Sequence, residues 1–396
     1  MVHPHKRSRT IARAPKKVFS GLSSSGLSCS LDVSTTRRRF LTLSAISASS
    51  LLLANCARQI GASDPSANSG GEGDSLSVYS WVNYSDPTLL KTFAEKTGIK
   101  PTVDTYDSNE AMLAKVQAGG GQNYSILFPS DYMVTQMVAL GLLQPLDLTK
   151  LVGLDQLMDQ WKSPVYDPGN AHSIPATWGT TGFVYDPTRL GFEIKGWDDL
   201  FANQAKLERK VTLLNDVREV LGSVLKAQGD SLNATDPVKV KAAYEKLAAF
   251  KPAIANFLTN GWEDQLASGD ILISMAYSSD AQVLMAEQPN LVYVLPESGS
   301  SLWTDTIAIP KTAPNLDAAY AWMNFFLNPE TSKELVTRRR FATPNKATYA
   351  KLPKAIQENR TLFPLETVLA KCEGIAPLTD ALAQTYDQYW TQLTSA

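Results

Sequence analysis

The stretch LSVYSWVNYSDPTLLKTFAEKTGIKPTV, residues 76–103, contains one complete strand–helix–strand unit. Residues 76–79 predict a short strand, residues 87–96 predict a helix that Gly98 ends, and residues 99–103 predict a second strand. A helix that connects two strands in this way places them parallel in one sheet. The stretch therefore predicts an α/β fold.

Strands and helices continue to alternate along the chain. Two apolar runs, 174–185 and 304–310, are the best candidates for crossovers between two lobes. We therefore expect a two-lobe α/β fold, in which each lobe is a mainly parallel sheet flanked by helices and a ligand cleft lies at the hinge. The lobes would comprise 76–182 with 304–350, and 183–303 with 351–396. Further strands are predicted at 124–128, 210–214, 271–276 and 292–295, and further helices at 107–117, 132–140, 218–228, 236–250 (capped through Thr235), 318–327 and 331–338.

The first 75 residues have the character of an export signal and a tether. Thr36-Arg37-Arg38-Arg39-Phe40-Leu41 precedes an uncharged run, 41–55, that is too short and too weakly apolar for a membrane span. The arginine pair is similar to a twin-arginine export signal, with an ordinary secretory signal as the alternative. Leu53-Ala54-Asn55-Cys56 resembles a lipobox, in which Cys56 would be lipidated, although Asn55 departs from the usual small residue. Residues 1–56 are thus predicted as signal and 57–75 as a flexible tether.

The charge of the exported part excludes several classes of partner. Residues 57–396 carry 28 Lys and Arg against 38 Asp and Glu. Such a surface repels nucleic acid and anionic lipid and favours the arrival of cations. We therefore expect no nucleic-acid partner and no membrane contact other than a lipid anchor.

Most residues and motifs of catalysis are missing. After the signal, His172 is the one histidine and Cys372 the one cysteine, which is too few for a Cys/His zinc site or a disulfide. The chain has no G-x-G-x-x-G, no Walker phosphate loop and no G-x-S-x-G. The sequence therefore favours binding over turnover and implies no cofactor.

Carboxylates occur where strands are predicted to end. Asp216 and Glu219 are three residues apart at a strand-to-helix junction, so both can share one face above the sheet. The alternative is that they only cap the helix. Trp303 and Asp305 are separated by one residue and so point to the same side of a strand, although a place in the core would explain them as well.

Aromatic residues follow other predicted strands. Trp81 and Tyr84 come after the first strand, and Tyr132 opens the helix after the third. A flexible organic dication needs carboxylates for its ammonium groups and aromatic walls for its methylenes. The combination suits such a ligand, while plain packing is the alternative for each aromatic residue alone.

Several segments together resemble the spermidine/putrescine-binding proteins of bacterial ABC importers, over essentially all of residues 76–393. They are 76–81, 97–100, 105–110, 173–175 with Trp178-Gly179, 216–220, 303–305 and 343–345. The resemblance implies a type II periplasmic binding fold that closes on a polyamine. It also implies ten ligand-binding residues: Trp81, Tyr84, Tyr132, Asp216, Glu219, Tyr277, Asp280, Trp303, Asp305 and Phe341.

The resemblance further implies a role for each group. Asp305 would hold one ammonium, Asp216 and Glu219 the other amine or amines, and Trp303 with Tyr277 the methylene chain. Asp280 is similar to an acid of the putrescine-preferring members, and capping of a helix at 281–287 is its alternative. Tyr277 and Phe341 depart from the Trp and Tyr common in the family, which bears on the choice of amine.

The partners implied are a transmembrane permease pair and a cytoplasmic ATPase, with this chain as a periplasmic monomer. One alternative is a binding protein for another solute, such as a ferric ion, a thiamine-like cation or an anion. Another is an exported enzyme with a carboxylate pair, for instance a glycosidase that uses Asp216 and Glu219.

Overall fold

The computed structural model describes residues 75–395. The predicted signal, Cys56 and all of the predicted tether except Ser75 lie outside this range. No helix within it is long and apolar enough to cross a bilayer.

The described part of the chain alternates between strands and helices, so the predicted α/β class is confirmed. The strands are β1 (Ser75–Trp81), β2 (Lys100–Tyr106), β3 (Ile126–Leu127), β4 (Ser173–Tyr185), β5 (Val211–Leu213), β6 (Ile254–Phe257), β7 (Ile273–Tyr277), β8 (Val292–Val294) and β9 (Leu302–Ala308). The α-helices are α1 (Pro87–Thr97), α2 (Asn109–Gln117), α3 (Asp131–Ala139), α4 (Pro187–Leu190), α5 (Trp197–Ala202), α6 (Val217–Ala227), α7 (Pro237–Phe250), α8 (Glu263–Ser268), α9 (Ser278–Glu287), α10 (Leu316–Leu327), α11 (Pro329–Arg339), α12 (Lys346–Lys351), α13 (Lys354–Gln357), α14 (Glu366–Leu369) and α15 (Asp380–Ser395).

The strands form one curled path in the order β2-β1-β3-β9-β4-β7-β5-β6, with β8 also paired to β4. We call β2-β1-β3-β9 the first sheet half and β7-β5-β6 the second. Pairs within β2-β1-β3 and within β7-β5-β6 are parallel, whereas β4 and β9 pair antiparallel with their neighbours. Of the two apolar runs predicted as crossovers, 174–185 lies on β4, which pairs with β9 in its first part and with β7 in its second. Most of the other, 304–310, lies on β9, which pairs with β3 and β4.

Each sheet half has its own aromatic core. Phe93 of α1 and Trp322 of α10 are fully buried beside the first half, with 4.8 Å between ring centroids. Trp197 of α5 and Phe250 of α7 are buried beside the second half. Separate cores leave the space between the halves free for a ligand.

One predicted helix cap is wrong. Asp236, rather than Thr235, caps α7, because the Asp236 carboxylate accepts the backbone N–H of Val238 at 2.9 Å. Pro237 occupies the first helical position. A backbone N–H at this position has no partner within the helix, so the proline removes no hydrogen bond. The cap residue therefore directly precedes the proline.

Candidate ligand-binding site

All ten predicted site residues line one cavity. It encloses about 780 Å³, including its open mouth. Its walls come from the loops at the carboxyl ends of β1, β3, β5 and β7, together with β9 and the segment after α11. Ligands of open α/β sheets collect at such strand ends. The ten residues are Trp81, Tyr84, Tyr132, Asp216, Glu219, Tyr277, Asp280, Trp303, Asp305 and Phe341.

Asp305 lies among hydroxyl groups and aromatic rings. Its two oxygens accept hydrogen bonds from Ser130 Oγ and Tyr84 Oη, both at 3.0 Å. The Tyr84 ring stacks on Phe341 with 5.0 Å between centroids and 9° between planes, and Trp303 meets Phe341 edge-on at 6.5 Å. This arrangement presents a carboxylate with aromatic groups around it, which suits a cation.

Asp216 and Glu219 stand at the start of α6. Asp216 Oδ1 accepts the backbone N–H groups of Arg218 and Glu219 at 2.8 and 3.1 Å, so the capping interpretation is confirmed. Glu219 is 2% exposed, and its Oε2 accepts a hydrogen bond from Ser301 Oγ at 2.6 Å. Asp216 both caps the helix and lines the cavity, so the two interpretations do not exclude each other.

Tyr132 forms a wall of the cavity and is fixed by two polar contacts. Its hydroxyl donates to Glu110 Oε1 at 2.9 Å and accepts from Asn109 Nδ2 at 3.1 Å. Both partners come from the first turn of α2. The ring orientation therefore depends on that helix.

Two pairs of rings complete the aromatic walls. Tyr277 meets Trp303 edge-on, with 5.7 Å between centroids. Trp81 packs against Tyr106 at 4.7 Å. Tyr277 lies at the end of β7 and Trp303 on β9, so both sheet halves contribute rings.

Asp280 does not cap a helix, so that alternative is wrong. Helix α9 begins at Ser278 with Tyr277 in the capping position, which places Asp280 inside the first turn. Asp280 Oδ1 accepts a hydrogen bond from Asn83 Nδ2 at 3.1 Å, and Asn83 Oδ1 accepts one from Arg339 Nη2 at 2.8 Å. Because Asn83 follows β1 and Asp280 follows β7, this contact joins the two sheet halves across the cavity.

Several acidic side chains are clustered in the walls of the cavity. Burial raises the pKa of Asp305 to about 6, of Asp280 to about 7, and of Asp131 and Glu219 to about 8. Arg218 directs its guanidinium to a backbone carbonyl at 2.8 Å. Among residues 75–395, no Lys or Arg side chain lines the cavity. An entering cation would therefore meet no positive side chain on its walls.

Several further residues line the cavity, although no sequence pattern identified them as site residues. Ser130 and Asp131 directly precede Tyr132, and Asn83 directly precedes Tyr84, so proximity to predicted site residues was the available signal. Tyr106 ends a strand and gave no such signal. The full set is Val82, Asn83, Tyr106, Asp107, Asn109, Ser130, Asp131, Thr259, Asn260, Ser279 and Ile375.

Comparison with known proteins agrees with this geometry. The family described as bacterial extracellular solute-binding protein matches residues 88–364. The chain belongs to this family. The spermidine/putrescine-binding periplasmic protein 1 of Haemophilus influenzae is 33% identical to this solute-binding protein, over 82% of this chain and 89% of its own length.

Solved structures give the same result. The spermidine/putrescine ABC transporter substrate-binding protein PotD of Streptococcus pneumoniae, in complex with calcium and HEPES, is 33% identical, with a TM-score of 0.72 over 82% of this chain and 99% of its own. A putative spermidine/putrescine ABC transporter protein from Listeria monocytogenes is 33% identical, with a TM-score of 0.76 over 81% and 99%. The solute-binding protein thus has the two-lobe periplasmic binding fold that the sequence predicted. It is a binding protein and not an enzyme.

The buried acids predict how the stability of the ligand-free solute-binding protein depends on pH. Asp131 and Glu219 have a pKa of about 8 in the fold, against about 4 for such groups in an unfolded chain. Between these values the folded state binds protons that the unfolded state has released, so the free energy of unfolding should rise as the pH falls from about 8 to about 5. The measurement is thermal unfolding of protein freed of carried-over solute, across this pH range.

A matched variant identifies the source of that dependence. Glu219→Gln keeps the shape and removes one titrating group, so its melting temperature should change less steeply with pH than that of the wild type. A wild-type melting temperature that stays flat or falls as the pH is lowered from 8 to 5 would contradict the assignment.

Proposed function

We propose that this solute-binding protein is the extracytoplasmic substrate-binding subunit of an ABC importer and that it binds polyamines, namely putrescine, spermidine or both. The observation that carries the proposal is the charge of the cavity, where carboxylates are clustered and none of the described Lys or Arg side chains takes part. Two relatives with 33% identity carry spermidine and putrescine in their names, which supports the same class of ligand.

The proposed contacts follow from the chemistry of an alkyl amine. One ammonium binds Asp305, and the rings of Tyr84, Phe341 and Trp303 surround its first methylenes. A charge-assisted hydrogen bond and a cation over an aromatic face are both stronger in a site that excludes water. Six further predicted residues complete the site, with carboxylates for the remaining charge and rings along the chain: Asp216, Glu219, Asp280, Trp81, Tyr132 and Tyr277 would serve in this way.

The proposed mechanism is closure of two lobes, 76–182 with 304–350 and 183–303 with 351–396, around the amine. The contact between Asn83 and Asp280 at 3.1 Å supports closure, because it joins one sheet half to the other beside the cavity. Trp81 and Trp303 lie in the cavity walls and should lose solvent as the lobes close. Intrinsic fluorescence then reports binding.

The competing solutes fit the cavity less well. An anion needs basic side chains, and the cavity presents none from the described chain. Within residues 75–395, no group of three or more His, Cys, Asp or Glu side chains is arranged to hold a metal ion. Binding of an organic cation therefore agrees best with the chemistry of the walls.

We further propose the route and the partners of the protein. An importer of this kind has a permease pair and an ATPase as partners. The protein, as a monomer, delivers its ligand to the permease pair. Arg37 and Arg38 direct export by the twin-arginine route, and lipidation of Cys56 anchors the protein at the outer face of the cytoplasmic membrane. The acidic composition of residues 57–396 is compatible with a periplasmic carrier of cations.

Asp305→Asn tests the ligand site. Wild-type protein should bind putrescine or spermidine with a dissociation constant of about micromolar or tighter, equivalent to roughly 8 kcal/mol. The variant should lose about 2 to 4 kcal/mol of affinity, because the shape stays and the charge is removed. Isothermal titration calorimetry and tryptophan fluorescence measure both.

Asp198→Asn, on the exposed face of α5, is the matched control and should bind as the wild type does. The melting temperature of Asp305→Asn should not fall. A variant that binds both amines as tightly as the wild type, or one that is unfolded, would contradict the role given to Asp305. No heat with either amine, together with binding of a sugar or an anion, would contradict the proposed function.

Replacing Arg37 and Arg38 by Lys tests the export route. The twin-arginine system reads the guanidinium pair and not the charge alone, so the precursor should accumulate in the cytoplasm. Cell fractionation and immunoblotting measure the distribution. Export of the double variant at the wild-type level would assign the protein to the general secretory route instead.

A further inference from the structure

We propose that Gly179 is a positioning residue of the ligand site, because its missing side chain leaves the space in which the Trp303 ring lies and so fixes where that wall of the cavity stands. The inference rests on the proposed polyamine function. It adds a residue that is not among the described residues lining the cavity and that acts only through the Trp303 ring. One methyl group at position 179 should therefore weaken ligand binding.

Gly179 and Trp303 face each other on neighbouring strands. Gly179 is in the middle of β4, and the antiparallel register places it directly opposite Trp303 on β9. Side chains of residues that are opposite in this way lie on the same face of the sheet. The Trp303 side chain can therefore reach across to β4 and lie against the backbone of Gly179.

The Trp303 ring occupies the place where a side chain at position 179 would begin. A Cβ atom at Gly179 would overlap with Trp303 Cζ2 and would lie 2.7 Å from Trp303 Cη2. Carbon atoms in contact are normally about 3.5 to 4.0 Å apart, so the ring would have to move by about 1 Å. Gly179 does not have a positive φ angle, so space and not backbone conformation requires a glycine here.

Packing contacts determine the position of the Trp303 ring. Trp303 Nε1 is buried and has no hydrogen-bond partner among the described residues. The ring meets Tyr277 and Phe341 edge-on, with 5.7 and 6.5 Å between centroids. A ring without a hydrogen bond takes the position that its neighbours leave open, so the space over Gly179 decides where Trp303 lies.

Gly179 also borders the start of α9, which follows the second sheet half. A Cβ atom at Gly179 would lie 2.7 Å from Ser278 Oγ, which accepts the backbone N–H of Thr180 at 3.2 Å. Ser278 is the first residue of α9, and Asp280 in the same turn lines the cavity. The close approach of Trp303 and α9 to the same point of β4 therefore depends on the absence of a side chain at Gly179.

Gly182, on the same strand, provides a matched control. A Cβ atom at Gly182 would overlap with the carbonyl oxygen of Val294 and would lie 2.7 Å from Tyr293 Cζ. Gly182 also lacks a positive φ angle. Tyr293 is not among the described residues that line the cavity. Alanine at position 182 therefore meets crowding of the same kind without displacing a ring of the ligand site.

The first test compares Gly179→Ala with Gly182→Ala in isothermal titration calorimetry with putrescine and with spermidine. Gly179→Ala should weaken amine binding by about tenfold or more, because a displaced Trp303 ring changes the shape of the site. Gly182→Ala should change the affinity by less than about threefold. Thermal unfolding of both variants shows whether a loss of stability accompanies the loss of affinity in one case only.

The second test asks whether the effect passes through the Trp303 ring. Trp303→Phe removes the part of the ring that contains Cζ2 and Cη2, so a methyl group at position 179 then has room. Adding Gly179→Ala to Trp303→Phe should change the affinity by less than about threefold. The difference in fluorescence between wild type and Trp303→Phe gives the emission of Trp303, and Gly179→Ala should shift that emission in the ligand-free protein.

The outcomes separate this inference from the proposed function. Gly179→Ala that binds amines as the wild type does, or that loses the same affinity with and without Trp303→Phe, would overturn the positioning role and leave polyamine binding intact. An unfolded Gly179→Ala variant that Trp303→Phe does not restore would overturn it as well. If neither amine binds the wild-type protein, the proposed function is wrong, and the emission of Trp303 still tests the position of the ring.

Discussion

The burial of carboxylates without basic partners is the constraint on which this structure depends. Removing a carboxylate from water is unfavourable unless a cation or hydrogen-bond donors replace the solvent. Here the donors are Tyr84 and Ser130 at Asp305, Ser301 at Glu219, and the helix backbone at Asp216. These donors satisfy carboxylate oxygens but do not neutralise the charge. Burial therefore raises the pKa of these carboxyls and favours their protonated form in the ligand-free cavity, where an organic cation can replace the protons.

The fold makes this burial possible by bringing distant parts of the chain to one place. Parallel strands of both sheet halves end at the cavity, and β4 with β9 connects the halves. Trp303 and Asp305 lie on β9, so one ring and one carboxylate are held by the strands that connect the halves. Asn83, which follows β1, and Asp280, in the first turn of α9, come from opposite halves and meet at 3.1 Å.

Much of the fold could be predicted because it depends on local patterns. The helix ended by Gly98 is observed, with Gly98 in the left-handed conformation. The strand β6 was not predicted, since residues Ile254–Phe257 follow α7 without an alternating pattern. The cap of α7 was misplaced by one residue because Thr235 and Asp236 are both good caps, and only the contact with Val238 distinguishes them.

The site could be predicted only in part. The two-residue period of a strand was enough to predict that Trp303 and Asp305 point to the same side. The strand-to-helix junction was enough to predict that Asp216 and Glu219 lie near the ligand. Asp131 could not be recognised as a cavity residue from its position in the first turn of a helix, because the groups around it, such as Thr304 and Gly374, are distant in sequence. The pairing of Asp280 with Asn83 likewise joins residues 197 positions apart. Tertiary contacts of this kind leave no local trace in the sequence.

The central claim is that this cavity carries a polyamine in its native setting. The most direct test is mass spectrometry of the small molecules released when protein purified from the periplasm, without denaturant and in amine-free buffer, is then unfolded. We expect a polyamine in roughly equimolar amount to the protein, because each chain has one tight site. Release of a sugar, an anion or a metal ion in that amount, with no amine, would contradict it.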